Sequence, residues 1–346
     1  MKIFVTVFLI IYSGLFVGAQ DLPEAKNSTT VVFYNVENLF DTYDDQLTSD
    51  EEFTPESPKK WDKVKYEKKI NDLAKVISLV NKNELPGIIG LAEVENLKVL
   101  EDLVNNSYLK NGNYGIIHYD SKDERGIDVA LLFSKSEFKL IDSKPIPVVF
   151  GFDIVDVTRD ILYVKGVTND NNTCYIFVNH WPSRTSGEQE SEIKRITAAV
   201  TLRKEVDGIL NFEKDARIII MGDFNDEPTN KSLLQILNAT NKRKNINYRD
   251  LFNMMYDTHN IGTSGTIAYQ NEWQMFDQII VSPAFLKKGN GYYLNFDDGR
   301  IYCNETMLFS NPETGFKSPN RTFGGDTYYG GVSDHLPVYV VLRKDE

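Results

Sequence analysis

The sequence predicts one α/β domain of many strands with helices interleaved, and three observations carry that reading. Short apolar runs recur along the chain, each the length of a buried strand, as in Val31-Val32-Phe33-Tyr34 and Ile88-Ile89-Gly90-Leu91. Two longer segments, Lys63 to Asn81 and Ser191 to Leu210, repeat apolar residues at helical spacing. No internal repeat, low-complexity linker or composition break divides the 346 residues, and a 41% hydrophobic share can fill a sizeable core.

The elements follow in order. Residues 1–20 read as a cleaved signal peptide: Lys2 supplies positive charge, Ile3 to Val17 is almost wholly apolar, and Gly18-Ala19-Gln20 offers a cleavage site. A membrane anchor is the competing reading, but that core is shorter than the roughly 20 residues a span needs. No stable membrane insertion is expected, and the mature chain is expected to be secreted or periplasmic. Residues 21–30 read as a flexible lead-in and 31–343 as the folded domain.

Val31 to Tyr34 is a first strand ending at Asn35-Val36-Glu37-Asn38. The acidic stretch Asp41 to Pro58 is a long loop. In the first helix Val64, Leu73, Ile77 and Val80 recur at helical spacing, and a strand at Ile88–Leu91 leads into Ala92-Glu93-Val94-Glu95. A short helix spans Leu97 to Val104. Strands at Ile116-Ile117 and Val129 to Phe133 flank Asp123-Glu124-Arg125-Gly126-Ile127-Asp128. Strands near Ile161–Val167 and Cys174–Val178 follow, the latter running into Asn179-His180-Trp181-Pro182-Ser183-Arg184. The helix from Ser191 sets Ile193, Ile196, Val200 and Val206 on one side. Arg217 to Ile220 is a strand before Met221-Gly222-Asp223-Phe224-Asn225-Asp226, and a short helix comes next. Phe276-Asp277-Gln278-Ile279-Ile280-Val281 is a strand, and Ser333-Asp334-His335 stands beside the last one, Val338 to Leu342.

The net charge of -12 argues against tight, passive nucleic-acid binding, which needs a basic face. It leaves room for an enzyme that grips phosphate through a metal and releases it quickly. Export permits a disulfide. Cys174 and Cys303 leave one bridge open, while a buried free thiol is the plainer reading for Cys174.

Polar residues gather at strand ends: Asn35, Glu93, His180, Asp223 with Asn225, Asp277 and the Asp334/His335 pair. Each alone is an ordinary turn residue, solvated carboxylate or structural histidine. Together they describe a cleft at one edge of a sheet. Asp223 and Asn225, two apart in extended chain, point the same way. Hard oxygen ligands with imidazoles suit a hydrolytic site built on Mg²⁺.

The order and wording of these motifs resemble the endonuclease/exonuclease/phosphatase superfamily, which includes pancreatic deoxyribonuclease, abasic-site endonucleases, neutral sphingomyelinases and inositol-polyphosphate phosphatases. The resemblance rests on Tyr34-Asn35-Val36-Glu37-Asn38, Leu91-Ala92-Glu93-Val94, Asn179-His180-Trp181-Pro182, Gly222-Asp223-Phe224-Asn225, Phe276-Asp277-Gln278 and Ser333-Asp334-His335. It implies a four-layer α/β sandwich, two mixed β-sheets face to face with helices outside, and a secreted member of bacterial type. It further implies Mg²⁺ or Mn²⁺ held by Glu93, Asn35 and Asp334. Asp223 and Asn225 resemble the pair that activates water and contacts phosphate. His335 resembles the family's histidine and Asp277 the carboxylate that holds it, while His180 falls where deoxyribonucleases place a second histidine. Ala92 departs from the Gln that commonly precedes the metal Glu. Arg125 and Asp128 lie in a segment that is no general family motif.

Arg184 or Arg125 can bind phosphate bidentately, or form a surface ion pair. Trp181 reads as core. A catalytically silent phosphate-binding module on the same fold is the competing class. Mutually repelling carboxylates are needless in a silent copy and favour the enzyme. The expected substrate is DNA or RNA, cleaved by a monomer; a phospholipid head group or a sugar or inositol phosphate is the alternative. Loops 41–58 and 283–331 are expected to line the cleft.

Overall fold

The computed structural model describes residues 27–344 except 83, 154, 186 and 290. The expected signal peptide lies outside the described residues. Two seven-stranded mixed sheets pack face to face with helices on their outer surfaces, the four-layer sandwich expected. The first sheet holds β1 (Ser28–Leu39), β2 (Ile88–Val94), β3 (Tyr114–His118) and β4 (Asp128–Ser134). The C-terminal strand Val338–Lys344 and the short strands Tyr292–Tyr293 and Arg300–Ile301 complete it. The second holds β5 (Phe138–Ile146), β6 (Ile161–Thr168), β7 (Thr173–His180) and β8 (Arg217–Asp223), then Asp277–Val281, Leu251–Asn253 and Ala239–Thr240. β1 begins at Ser28, inside the expected lead-in.

Alternation of side chains across a strand builds the layers. In β1, Val31 and Phe33 enter the core between the sheets, where they join Leu131, Val164, Ile176, Met221 and Ile279. Val32 and Tyr34 face outward onto Leu73 and Ile77 of α1 (Lys63–Leu79) and Leu100 of α2 (Leu97–Asn105). α1 starts at Asp62, whose side chain accepts from Lys65 N, and α2 at Asn96, which caps Val99 N in the same way. α3 (Glu188–Phe212) covers the second sheet, packing Ala198, Leu202 and Val206 on Phe177, Ile218 and Ile220. Truncating such a fully buried aliphatic residue to Ala typically costs about 2–5 kcal/mol.

Several local expectations are corrected. α3 buries Val206 as expected together with Arg195, Ala198, Ala199 and Leu202, while Ile193 and Val200 are about half exposed. Small residues let the helix lie close to the sheet, so its buried face mixes alanines with Leu202, Val206 and Leu210. Val64 is exposed at the start of α1. β5 escaped notice because it is a polar edge strand, with Lys139, Asp142, Lys144 and Pro145 in its length. Cys174 is buried, Cys303 exposed, and both are free, so no bridge joins them.

Among the described residues no helix is long and apolar enough to cross a membrane. The 41–58 loop is pinned by Phe53, which stacks on Phe40 with ring centroids 4.2 Å apart and meets Trp61 edge-on. Part of 283–331 also reaches this corner: Thr322, Phe323 and Gly325 line one pocket with Glu52 and Lys59. The rest of that segment forms sheet edge and short hairpins.

Candidate active site

The second sheet sets one half of the site by register. β7 and β8 run parallel with His180 opposite Asp223, and the antiparallel strand Asp277–Val281 puts Asp277 opposite Asp223 from the other side. Three polar side chains therefore occupy one row across three strands, where neighbouring strands lie about 4.8 Å apart. His180 Nε2 is 3.7 Å from Asp223 Oδ2. Just beyond β8 the backbone of Asn225 turns left-handed, with φ +49°. Its N–H donates to Asp223 Oδ1 at 2.9 Å, and its side-chain NH₂ to Trp181 O at 3.0 Å.

The first sheet supplies the other half from irregular backbone. β1 and β2 pair in parallel until the register shifts after Asn35 and Ala92. Glu93 sits in that shift with φ +64°, and Glu37 and Asn38 are left-handed as well. Glu93 Oε2 accepts from Asn38 N at 3.0 Å, which ties one distorted strand end to the other. The Asn35 side chain donates to Asp223 Oδ2 at 3.0 Å and to Glu93 Oε1 at 3.3 Å, while its oxygen accepts from Glu37 N. Asn35 thus turns nitrogen, not oxygen, toward the two carboxylates. In this cation-free arrangement the amide bridges the two sheets.

The Ser333-Asp334-His335 turn closes the site. Ser333 Oγ donates to Asn35 O at 2.8 Å and accepts from His335 N at 3.0 Å. His335 Nδ1 lies 2.7 Å from Asp277 Oδ2, and its Nε2 faces Asp223 at 3.8 Å and Asp334 at 3.9 Å. His180 Nε2 approaches Glu93 at 3.8 Å from the opposite side.

Burial and crowding perturb these groups in opposite directions. Burial lowers the His335 imidazole, but Asp277, Asp223 and Asp334 outweigh it and hold the group well above its ordinary value. Burial, then Arg159, Arg125 and His335, hold His180 well below its own, so it is neutral. Burial, opposed by His335 and reinforced by Asp277, pushes the Asp223 carboxyl up to about 6. Burial raises Asp334 too, with Glu93 adding to it against His335. Asp223, Asp277 and His335 bring polar atoms within 4.8 Å of one another, and with the His335 ring held protonated the oxygens of the neighbouring Glu93 and Asp334 are the free donors. Buried carboxylates that resist ionising together, beside a neutral imidazole, form a donor set that a divalent cation fits.

Three expected phosphate contacts fare differently. Arg125 is half exposed, with Nη2 3.9 Å from Glu93. Arg184 is engaged: it donates to Asn225 O at 2.8 Å, Asp226 at 2.9 Å and Asn230 at 3.0 Å, and stacks over Phe276. It braces the loop after β8 and has no fork to offer. Asp128 lies outside the cluster, beside His118 at 3.4 Å. Arg159 was missed; buried between Asp123 Oδ2 (2.9 Å) and Trp181 O (2.8 Å), it places positive charge next to His180. Thr158-Arg159-Asp160 gives no motif that marks it. Glu37, pushed up to about 7 by burial and Asp334 against Lys69, lay inside a motif but had no role.

A family model described as Endonuclease/Exonuclease/phosphatase family matches residues 30–344. A comparison of the sequence with curated proteins finds no match. Among solved structures, humanized D. rerio TDP2 carrying 14 mutations is 14% identical; the alignment covers 92% of this chain and 100% of that one, with a TM-score of 0.55. The human Nocturnin catalytic domain with bound sulfate anion is 16% identical, covering 92% and 94%, with a TM-score of 0.54. D. rerio TDP2 complexed with single strand DNA product is 13% identical, covering 92% and 100%, with a TM-score of 0.52. At these identities the likeness is one of fold.

Proposed function

The chain belongs to the endonuclease/exonuclease/phosphatase family, and on that premise we propose that it is an exported, divalent-cation-dependent hydrolase of phosphate esters, acting first on the phosphodiester bonds of nucleic acid. The single observation that carries the reading is the approach of two histidines to one carboxylate oxygen, His180 Nε2 at 3.7 Å and His335 Nε2 at 3.8 Å from Asp223 Oδ2. Glu93 and Asp334, with Asn35 beside them, would hold Mg²⁺ or Mn²⁺ through hard oxygens. When bound, that cation supplies the positive charge that offsets the phosphoryl and leaving oxygens. Asn35 keeps Glu93 and Asp223 in mutual register. Asp223, with a carboxyl near 6, accepts the proton of the attacking water. His335, kept protonated by Asp277, donates to the phosphoryl group, and neutral His180 hydrogen-bonds it from the other side. The amide of Asn225 has one N–H left for a phosphate oxygen.

Nucleic acid stands first because a relative of this fold was solved with a single strand DNA product. The charge of -12 keeps affinity modest and phosphate contacts few. One observation favours a small phosphate ester or lipid head group instead. Beside Asp334 lies a pocket of about 190 Å³, walled by Phe53, Trp61 and Phe323 with Glu37 and Lys59, the size of one small group.

A panel of DNA, RNA, sphingomyelin and inositol phosphates with Mg²⁺ or Mn²⁺ tests the choice. Nucleic acid should be cut, with activity falling only gently between about 50 and 200 mM salt. No cleavage of DNA or RNA, alongside release of phosphate or phosphocholine from a small ester, hands the assignment to the second reading. Export is tested by N-terminal sequencing of secreted material, expected to begin near Gln20 or Asp21.

A further inference from the structure

The β3–β4 connection carries a second cluster of donors that the proposed chemistry does not use. His118 ends β3 and Asp128 begins β4, with Asp120 in the connection between them. Donor atoms of His118, Asp120 and Asp128 lie within 4.8 Å of one another. The His118 side chain is only 5% exposed, and its Nε2 is buried with no hydrogen-bond partner. It faces Asp128 Oδ2 at 3.4 Å, while Nδ1 lies 3.8 Å from Asp120. Asp128 Oδ1 accepts from Ser121 N at 2.9 Å, which aims the other oxygen at the ring.

An ordinary histidine–carboxylate hydrogen bond is the alternative, and the spacing argues against it. Such a charge-assisted bond closes to about 2.7–2.9 Å. Two donors each about 2.0–2.2 Å from one tetrahedral ion stand roughly 3.3–3.6 Å apart. The 3.4 Å between His118 Nε2 and Asp128 Oδ2 falls in that second range, while Asp120, largely exposed and 3.8 Å from Nδ1, has to swing toward Nε2 to join the same shell. Charge points the same way. Among the described residues no lysine or arginine pairs with Asp120 or Asp128. Asp160 lines a small cleft together with Asp128, and burial together with Asp128 raises its carboxyl, with Lys122 as a partial counterweight. Negative charge thus accumulates around a buried imidazole nitrogen that makes no hydrogen bond.

We propose that His118, Asp120 and Asp128 form a second cation site, distinct from the Glu93 cluster, that takes a borderline divalent transition metal such as Zn²⁺. An imidazole nitrogen among carboxylates selects such an ion over Mg²⁺ or Ca²⁺, which prefer all-oxygen shells. The ion ties the end of β3 to the start of β4. It thereby fixes the 119–127 connection, from which Asp123 reaches Arg159 and Arg125 reaches Glu93.

The test is Zn²⁺ stoichiometry on the full mature chain by equilibrium dialysis and metal analysis. Glu93→Gln serves as background, to weaken the other cluster. That variant should retain about one Zn²⁺ per chain, and adding His118→Gln or Asp128→Asn should remove it. Limited proteolysis should then cut within 119–127 faster. A Glu93→Gln chain that binds no Zn²⁺, or a Glu93→Gln/His118→Gln chain that still binds about one, overturns the site. A measurement on the unsubstituted protein is independent of how the variants fold. The assigned His118 ring resonance should shift when Zn²⁺ is added, and an unmoved resonance at saturating Zn²⁺ contradicts the proposal.

Discussion

The two sheets furnish the two halves of the candidate site by different means. The second sheet presents His180, Asp223 and Asp277 as one row of an unbroken ladder. The first presents Asn35 and Glu93 from shifted register, and Glu37, Asn38 and Glu93 hold left-handed backbone. A ladder fixes side chains through backbone bonds on both flanks. A left-handed non-glycine residue costs on the order of 1–3 kcal/mol and persists only where its surroundings insist on it. Here the insistence comes from Asn38 N and the Asn35 amide, both bonded to the Glu93 carboxylate. The comparison teaches a division of labour: the ladder half keeps proton-transfer groups in fixed geometry, and the bulged half aims one carboxylate that regular strand would point elsewhere.

That division is sharpened by substitutions on each side. Glu93→Gln should strike cation binding first. Mg²⁺ affinity, read by calorimetry, should fall by more than the ~10–100-fold typical of losing a group that only orients a ligand. Unchanged affinity would remove the bulged half from the metal account. On the ladder half, His335→Ala should lower turnover at saturating Mg²⁺ by about 10²–10⁴ and leave Mg²⁺ affinity within a few-fold. Asp277→Asn should follow it with a smaller loss of about 10–100-fold. If either variant loses cation affinity instead of rate, the division between the halves collapses.

A smaller effect follows from protonation. Asp223 stands near 6 in the folded chain, above the ordinary carboxylate value of about 3.9. Its folded value is the raised one, so ionising it opposes folding, and the cation-free chain loses stability as pH rises through that window. His335, also raised, contributes stability that is present at low pH and lost as pH rises, in the same sense. His180, held low by burial, opposes both, so the informative quantity is the increment due to Mg²⁺. Saturating Mg²⁺ should raise Tm by about 2 °C or more at about pH 7.5, and by less at about pH 5. An equal or larger increment at the lower pH contradicts the assigned carboxylate crowding.

Much of this was legible because strand ends announce themselves. Apolar runs stopping at Asn35, Glu93, His180 and Asp223 locate the cleft edge without any structure, and the motif order points to the sandwich. What stayed hidden depends on partners distant in sequence. Arg184 reads as a free guanidinium until Asn225, Asp226 and Asn230 are seen to consume it. Asp128 joins His118, ten residues back, across the β3–β4 turn. Arg159 has no local signal, since its meaning comes from Asp123 and Trp181. The left-handed Glu93 is equally invisible, because nothing in Leu91-Ala92-Glu93-Val94 suggests a backbone usually left to glycine or asparagine. α3 misled in part for a different reason: apolar residues stand on several sides of it, and close packing through Ala198 and Ala199 decides that Ile193 and Val200 stay outside.

The central claim is that this donor set hydrolyses phosphate esters only with a divalent cation in place. It is tested most directly with a generic chromogenic phosphodiester, comparing the purified chain in EDTA, after Mg²⁺ is restored, and as the Glu93→Gln variant under both conditions. The account predicts no turnover in EDTA, full recovery on adding Mg²⁺, and little recovery in the variant. Full activity in EDTA, or a Glu93→Gln variant that Mg²⁺ rescues to the level of the unsubstituted chain, would contradict it.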